Sequence, residues 1–190
     1  MLCCEPLTLR HSDGYTAFAR LWLPPEPSGA VLYLHGIQSH GRWFEGSARR
    51  LAEAGLAVLL PDRRGSGRND AARGDVRSAR RWLRDCGEWL DWLHTRTRLN
   101  RFHVVGVSWG GKLALALYRH APERIQGLSL VAPGLFPRVD LPLAEKLRVG
   151  WSLIAARRAL FDIPLNEPEL FTATPHWQAF LRDDPLRLRQ

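Results

Sequence analysis

A serine set between glycines stands past the middle of this 190-residue chain, in Gly106-Val107-Ser108-Trp109-Gly110-Gly111. The β-branched pair Val104-Val105 precedes it. A strong helix-forming run, Lys112-Leu113-Ala114-Leu115-Ala116-Leu117, follows. Strand, glycine-flanked serine, helix is the order that lifts a hydroxyl off the end of a sheet. A free hydroxyl is a poor nucleophile. It needs a base beside it and N–H donors where an oxyanion will form. Gly106 and Gly110 let strand and helix approach without a Cβ clash, and Ser108 is expected to take a strained backbone conformation. Gly-x-Ser-x-Gly alone is a short pattern, and its weight comes from the strand before it and the helix after it.

The elements that must hold this turn alternate along the chain. Leu7–Arg10 and Thr16–Leu23 read as two antiparallel strands across the Ser12-Asp13-Gly14 turn. Ala30–Leu34 and Leu56–Leu60 are continuous apolar runs, as strands covered on both faces require. Between them lies the polar loop His35 to Gly41, then a helix carrying Trp43, Phe44, Ala48, Leu51 and Ala54, with Gly55 as its stop. Arg63 to Asp70 is a loop. Asp75 to about Thr95 reads as a helix with Ala79, Trp82, Cys86, Trp89 or Leu90, and Leu93 on one side. Phe102–Val107 is the strand into the serine turn, and Ile125–Pro133 a further strand. This alternation predicts an α/β fold, a mostly parallel sheet with helices on both faces. After Gly134 the pattern changes to short helical stretches broken by six prolines. The expected organisation is a core over 1–136 and a helical cap over 137–190, lying on the carboxyl ends of the strands.

Composition narrows the function classes. Hydrophobic residues make up 45% and charged residues 24%, as in ordinary globular proteins. No apolar run has the length of a membrane span, and no signal peptide is visible, so the expected compartment is the cytoplasm. Cys3, Cys4 and Cys86 show neither disulfide nor metal-ligand spacing and read as reduced thiols; no metal or organic cofactor is expected. The formal charge of +8 comes from arginines interleaved with acids at helical spacing, without any nucleic-acid-binding motif. That is a solvated surface, and nucleic-acid binding is not expected.

With these residues in hand, the chain resembles the α/β-hydrolases, and among them the monoacylglycerol lipase and lysophospholipase group of the serine aminopeptidase S33 type. Three stretches carry the resemblance, in the family's order: His35-Gly36 with Ser39-His40-Gly41-Arg42-Trp43-Phe44; Asp62-Arg63-Arg64-Gly65-Ser66-Gly67; and Gly106 to Gly111. The resemblance implies that Ser108 is the nucleophile of a nucleophile elbow, supported by His35, Gly36, Gly106, Gly110 and Gly111. It implies an oxyanion hole made by the backbone N–H groups of Ile37 and Trp109. It further implies that the His35 side chain ties its loop together. His40 either lines the entrance or bonds its own loop, and Asp62 fixes the turn that follows it. Trp43, Phe44 and Trp151 line an acyl pocket or, as aromatics at helical spacing more often do, fill the core. The activity implied is hydrolysis of a small or lipid-like carboxylic ester. The alternatives are thioester or amide hydrolysis on the same scaffold, or a non-catalytic remnant that binds an acyl ligand or a partner.

The family order is serine, acid, histidine, with acid and base after the last strands. Beyond Ser108 the histidines are His120, at the end of the serine helix, and His176, in the cap; the acids include Asp140, Asp162, Asp183 and Asp184. Neither histidine lies in a strand-end loop. Phe180 to Leu186 resembles the end of the family's cap. The expectation is therefore a piece of a longer hydrolase, inactive by itself, whose acid, histidine and last strands lie beyond Gln190.

Overall fold

The computed structural model describes residues 2–135, 142–156 and 159–189. The expected boundary at 136/137 and the candidate Asp140 lie outside the described residues. Six strands form one sheet: β1 (Glu5–Arg10), β2 (Thr16–Trp22), β3 (Gly29–Leu34), β4 (Leu56–Pro61), β5 (Phe102–Val107) and β6 (Ile125–Val131), in the order β1-β2-β4-β3-β5-β6. β1 and β2 form the antiparallel hairpin, β2 joins β4 antiparallel, and the other pairings are parallel.

The two faces of the sheet divide the core by the period of two that strands impose. On one face Ala30, Leu32, Leu34, Ala57 and Leu59 meet Cys86, Trp89, Leu90 and Leu93 of α2 (Ala79–Thr97) and Leu113, Ala114 and Leu117 of α3 (Trp109–His120). On the other, Val31, Tyr33, Val58 and Leu60 meet Ala48 and Ala52 of α1 (Glu45–Glu53). Helix α2 starts at Ala79, four residues later than the spacing predicts, and Ala79 is exposed. The preceding residues fold back on themselves, with Gly74 N–H donating to Gly65 O and Asp75 N–H to Ala72 O.

Order of the strands decides where a site can form. From β3 the chain crosses through α1 to β4, then returns through α2 to β5 on the other side of β3. The direction of winding reverses between β3 and β5, and a crevice opens there at the carboxyl ends, where parallel α/β sheets bind their ligands. Leu34 pairs with Gly106 in this register, so the loop from His35 and the turn at Ser108 leave the sheet side by side.

After β6 come α4 (Leu143–Ala155), a 3₁₀ turn at Pro168–Leu170 and α5 (Pro175–Asp183). The end of this cap reaches back to the core: Leu188 N–H donates to Gln38 O at 2.9 Å. Trp151, a candidate for pocket or core, is in neither; it is 70% exposed on α4. Among the described residues no helix is long and apolar enough to cross a membrane.

A polar network absent from the expectations ties the hairpin to α2. His11, 3% exposed, bonds Glu88 through Nδ1 at 2.5 Å and stands edge-on to Trp89. Glu88 also accepts from the Ser12 hydroxyl and Arg81, and Asp85 accepts from Arg64 and Arg81. His11, Asp85 and Glu88 are ligand types that could hold a metal ion, but the two guanidiniums occupy the carboxylates and make this an ion-pair network. Partial burial by itself would raise the Glu88 carboxyl; the hydrogen bonds from Ser12, Arg81 and His11 outweigh it and hold the group at about 2, against 4.5 ordinarily. A carboxylate depressed on folding contributes stability that is complete above its unfolded pKa and lost as pH falls toward the folded one. Glu88→Gln is therefore expected to destabilise the fold by about 1–3 kcal/mol at pH 7. The difference in Tm from the unsubstituted chain should shrink between about pH 4.5 and 2 in thermal melts across that range.

Candidate active site

Ser108 is the residue between β5 and α3, with φ +52° and ψ −119°, a conformation that non-glycine residues adopt only under constraint. The constraint is visible in three hydrogen bonds. Ser108 N–H donates to Val131 O at 3.0 Å, and Ser108 O accepts from Gly111 N–H at 3.0 Å and Gly134 N–H at 2.9 Å. Its hydroxyl is left without a protein partner among the described residues, facing a cleft of about 490 Å³.

The glycines around it are set by contact distances. A Cβ on Gly106 would lie 2.7 Å from Ala114 Cβ, and one on Gly111 2.9 Å from Pro133 Cβ. On Gly110 it would strike the carbonyl oxygens of Leu34 and His35. Helix α3 thus begins hard against the end of β3. A Cβ on Gly36 would come 3.4 Å from the Ser108 Cβ, so the loop after β3 runs directly past the serine.

That loop, the carrier of Ile37, is pinned through its carbonyls. Gly36 O accepts from His35 Nδ1–H at 2.8 Å and from Arg63 Nη1 at 3.0 Å; Ile37 O accepts from Arg63 Nη2 at 2.9 Å; Gln38 O takes the Leu188 N–H. In a planar trans peptide the N–H points opposite the preceding C=O. The Gly36 carbonyl is taken by His35 and Arg63, so the Ile37 N–H of the same peptide points away from those two donors; Ile37 and Ser108 both line the cleft. The Trp109 N–H opens α3 and has no acceptor among the described residues, as first-turn amides do not. His35 is 2% exposed, its Nε2 accepts from Arg63 N–H at 2.8 Å, and burial holds its pKa well below the usual value. It is a neutral imidazole with both nitrogens committed to the loop.

His40 neither lines the cleft nor bonds its own loop. It is fully buried and meets Asp184, 144 residues on, through Nε2 at 2.8 Å, while the Trp43 indole donates to the same oxygen at 2.6 Å. Burial would raise Asp184, but these two donors bring it down to about 2. Asp184 is therefore a tie between loop and cap. Asp62, with no exposed surface, accepts from Gly41 N–H at 2.7 Å, Arg68 N–H at 2.9 Å and Arg20 at 2.9 Å. His120 ends α3, and His176 stacks edge-on with Trp177 on α5. No described histidine hydrogen-bonds Ser108.

The cleft itself is apolar. Trp43 and Phe44 come from the core, and Phe171, Trp177, Phe180 and Leu181 from the cap. The cap aromatics were not singled out by sequence, because no local pattern distinguishes a lining side chain from a filling one. Three substitutions, read by their effect on stability, check these contacts and this backbone strain. Gly110→Ala is expected to cost at least about 1–3 kcal/mol in urea unfolding, since the added methyl meets backbone that cannot yield. Gly46→Ala in α1, where nothing lies within 4 Å, should gain up to about 1 kcal/mol. Ser108→Gly should likewise stabilise the chain, by about 1 kcal/mol or more, by relieving the left-handed backbone.

The model of the serine aminopeptidase S33 family (Hydrolase_4) matches residues 25–190. A monoglyceride lipase of Homo sapiens is 27% identical over 126 residues, 66% of this chain and 42% of that protein. Among solved structures, a monoacylglycerol lipase of Paleococcus ferrophilus superposes with a TM-score of 0.78 at 20% identity, over 90% of this chain and 63% of its own. A carboxyl esterase of Bacillus coagulans superposes with a TM-score of 0.74 at 21% identity, over 98% of this chain and 67% of its own. These superpositions establish the α/β-hydrolase fold. The chain spans about two fifths of the length of the human relative.

Proposed function

The chain belongs to the serine aminopeptidase S33 family, and on that premise we propose that it is the nucleophile-bearing part of a serine hydrolase of carboxylic esters. The observation that carries this reading is Ser108, held at φ +52° with its hydroxyl unengaged, at the mouth of an apolar cleft beside the carbonyl-pinned loop of Ile37. In the proposed reaction Ser108 Oγ attacks the acyl carbon and its proton passes to a base. The carbonyl oxygen becomes an oxyanion held by the N–H groups of Ile37 and Trp109. Collapse expels the alcohol, which takes the proton back from the base. Water then attacks the acyl-enzyme, and the carboxylic acid leaves with Ser108 regenerated.

A cleft lined by Trp43, Phe44, Leu170, Phe171, Trp177 and Phe180 suits the hydrocarbon of an acyl group, which gains about 25 cal/mol for each Å² of apolar surface it buries. Monoacylglycerol-like and other small acyl esters are the substrate class that agrees with this lining and with the lipase and esterase relatives. Thioester or amide hydrolysis would use the same Ser108 and the same two amides. The base is the part of the machinery that the described histidines do not place against Ser108, so the reading draws it from outside them.

That same observation favours a second reading, in which the chain binds an acyl ligand without turning it over. Labelling with a fluorophosphonate separates the two, because the probe reports activation of a serine whatever the substrate. The expected result is covalent labelling, lost in Ser108→Ala, in a form of the protein that carries the base, and none in the 190-residue chain by itself. A folded form that carries the base and binds a fluorescent fatty acid but leaves the probe unreacted would support the non-catalytic reading instead.

A further inference from the structure

Arg63 follows β4, and its side chain runs under the loop beside Ser108. The residue is partly buried, its Nε wholly so and without a hydrogen-bond partner. No carboxylate forms an ion pair with it among the described residues; the neighbouring Asp62 is taken up by Arg20 and the amides of Gly41 and Arg68. Desolvation lowers Arg63 to about 10, so it remains a cation at neutral pH. A charge kept in this setting without a counter-ion costs free energy. What it touches gives the reason for keeping it there.

Its two terminal nitrogens fork onto successive carbonyls, Nη1 to Gly36 O at 3.0 Å and Nη2 to Ile37 O at 2.9 Å. The face of the guanidinium lies over the Trp109 ring at 4.6 Å and near Trp82 at 5.7 Å, two indoles that themselves meet edge-to-face at 4.8 Å. Its own backbone N–H donates to His35 Nε2, and His35 Nδ1 in turn holds Gly36 O. One residue therefore contacts both Ile37 and Trp109, the two residues proposed above to supply the oxyanion donors. It reaches one through the peptide carbonyls around it and the other through its ring.

We infer that Arg63 is a positioning residue for the oxyanion hole: its fork fixes the Gly36–Ile37 peptide plane so that the Ile37 N–H faces the acyl oxygen, while its stacking on Trp109 holds the start of α3 in register with it. Planarity makes the coupling rigid, because a carbonyl anchored at one end of a peptide leaves its N–H a single direction. The charge adds to the geometry. A guanidinium bonded to Gly36 O polarises the Gly36–Ile37 amide and strengthens its N–H as a donor, in a site screened from water. Lysine supplies a point charge without the planar fork and cannot hold both carbonyls in one plane.

This inference rests on the hydrolase reading for its catalytic meaning, and two independent readouts keep the two separable. The first is the orientation of individual N–H vectors in the folded 190-residue chain, from ¹⁵N–¹H residual dipolar couplings. In Arg63→Met the Ile37 coupling is expected to depart from its original value while those of β3, β5 and α2 stay in place. In Arg63→Lys it should depart less. The second is the rate of fluorophosphonate labelling at Ser108 in a form of the protein that carries the base, expected to fall about 10- to 100-fold in Arg63→Met and less in Arg63→Lys, against the 10²- to 10³-fold typical of removing a whole donor. A folded Arg63→Met with an unchanged Ile37 vector overturns the inference, as does an unchanged labelling rate. Should Arg63→Met fail to fold, Arg63→Lys decides by the same vector. An Ile37 vector that moves while Ser108 of the base-carrying form never reacts with the probe upholds the positioning role and overturns the hydrolase reading alone.

Discussion

At Gly110 the first turn of α3 lies so close to the carbonyls of Leu34 and His35 that not one methyl group fits between them. This contact joins the ends of two neighbouring strands, and the rest of the site depends on it. Because β3 and β5 are parallel and paired Leu34 to Gly106, the helix after one strand must start where the loop after the other begins. Placing a serine at that junction forces its backbone to positive φ, and the cost of about 1–3 kcal/mol is met by three backbone hydrogen bonds and two flanking glycines. What remains without a partner among the described residues is the Ser108 hydroxyl and the first amide of α3.

A second layer of structure holds the neighbouring loop in place. The loop after β3 has no regular partner, yet each carbonyl from Gly36 to Gln38 has a donor: His35 and Arg63 for the first, Arg63 for the second, Leu188 for the third. Those donors come from three separate parts of the chain. Arg187 adds a fork from the cap onto the Gln38 side chain, with Nη2 at 2.9 Å and Nε at 3.2 Å. The loop contains no helix or strand, and its backbone carbonyls are held by these donors from outside it.

Much of this was legible in the sequence, and the boundary of legibility has a physical form. Continuous apolar runs revealed β3 and β4, and the glycine spacing revealed the serine turn, because strand burial and steric approach act on neighbouring residues. The family resemblance pointed to His35, whose partners Gly36 and Arg63 lie within the matched stretches. Illegible were pairings set by the fold alone. His11 finds Glu88 at a separation of 77 residues, and His40 finds Asp184 at 144. Neither partner carries a local signature, so a buried ion-pair network read as scattered charge and a cap tie read as a candidate acid. Helix α2 was started about a turn too early for a related reason. The bonds that fold 65–75 into a compact loop take away the residues a helical pattern would claim.

The tie between His40 and Asp184, with Leu188 on Gln38 beside it, bears on the order of assembly. A chain emerging from its N-terminus forms β1 to β5 and the serine turn while the residues that clamp the loop after β3 are still unmade. Closing a loop of more than 140 residues is slow compared with pairing adjacent strands. The loop that lines the cleft beside Ser108 is therefore clamped last. An incomplete chain holds Ser108 in its strained turn well before it holds the loop that runs beside it.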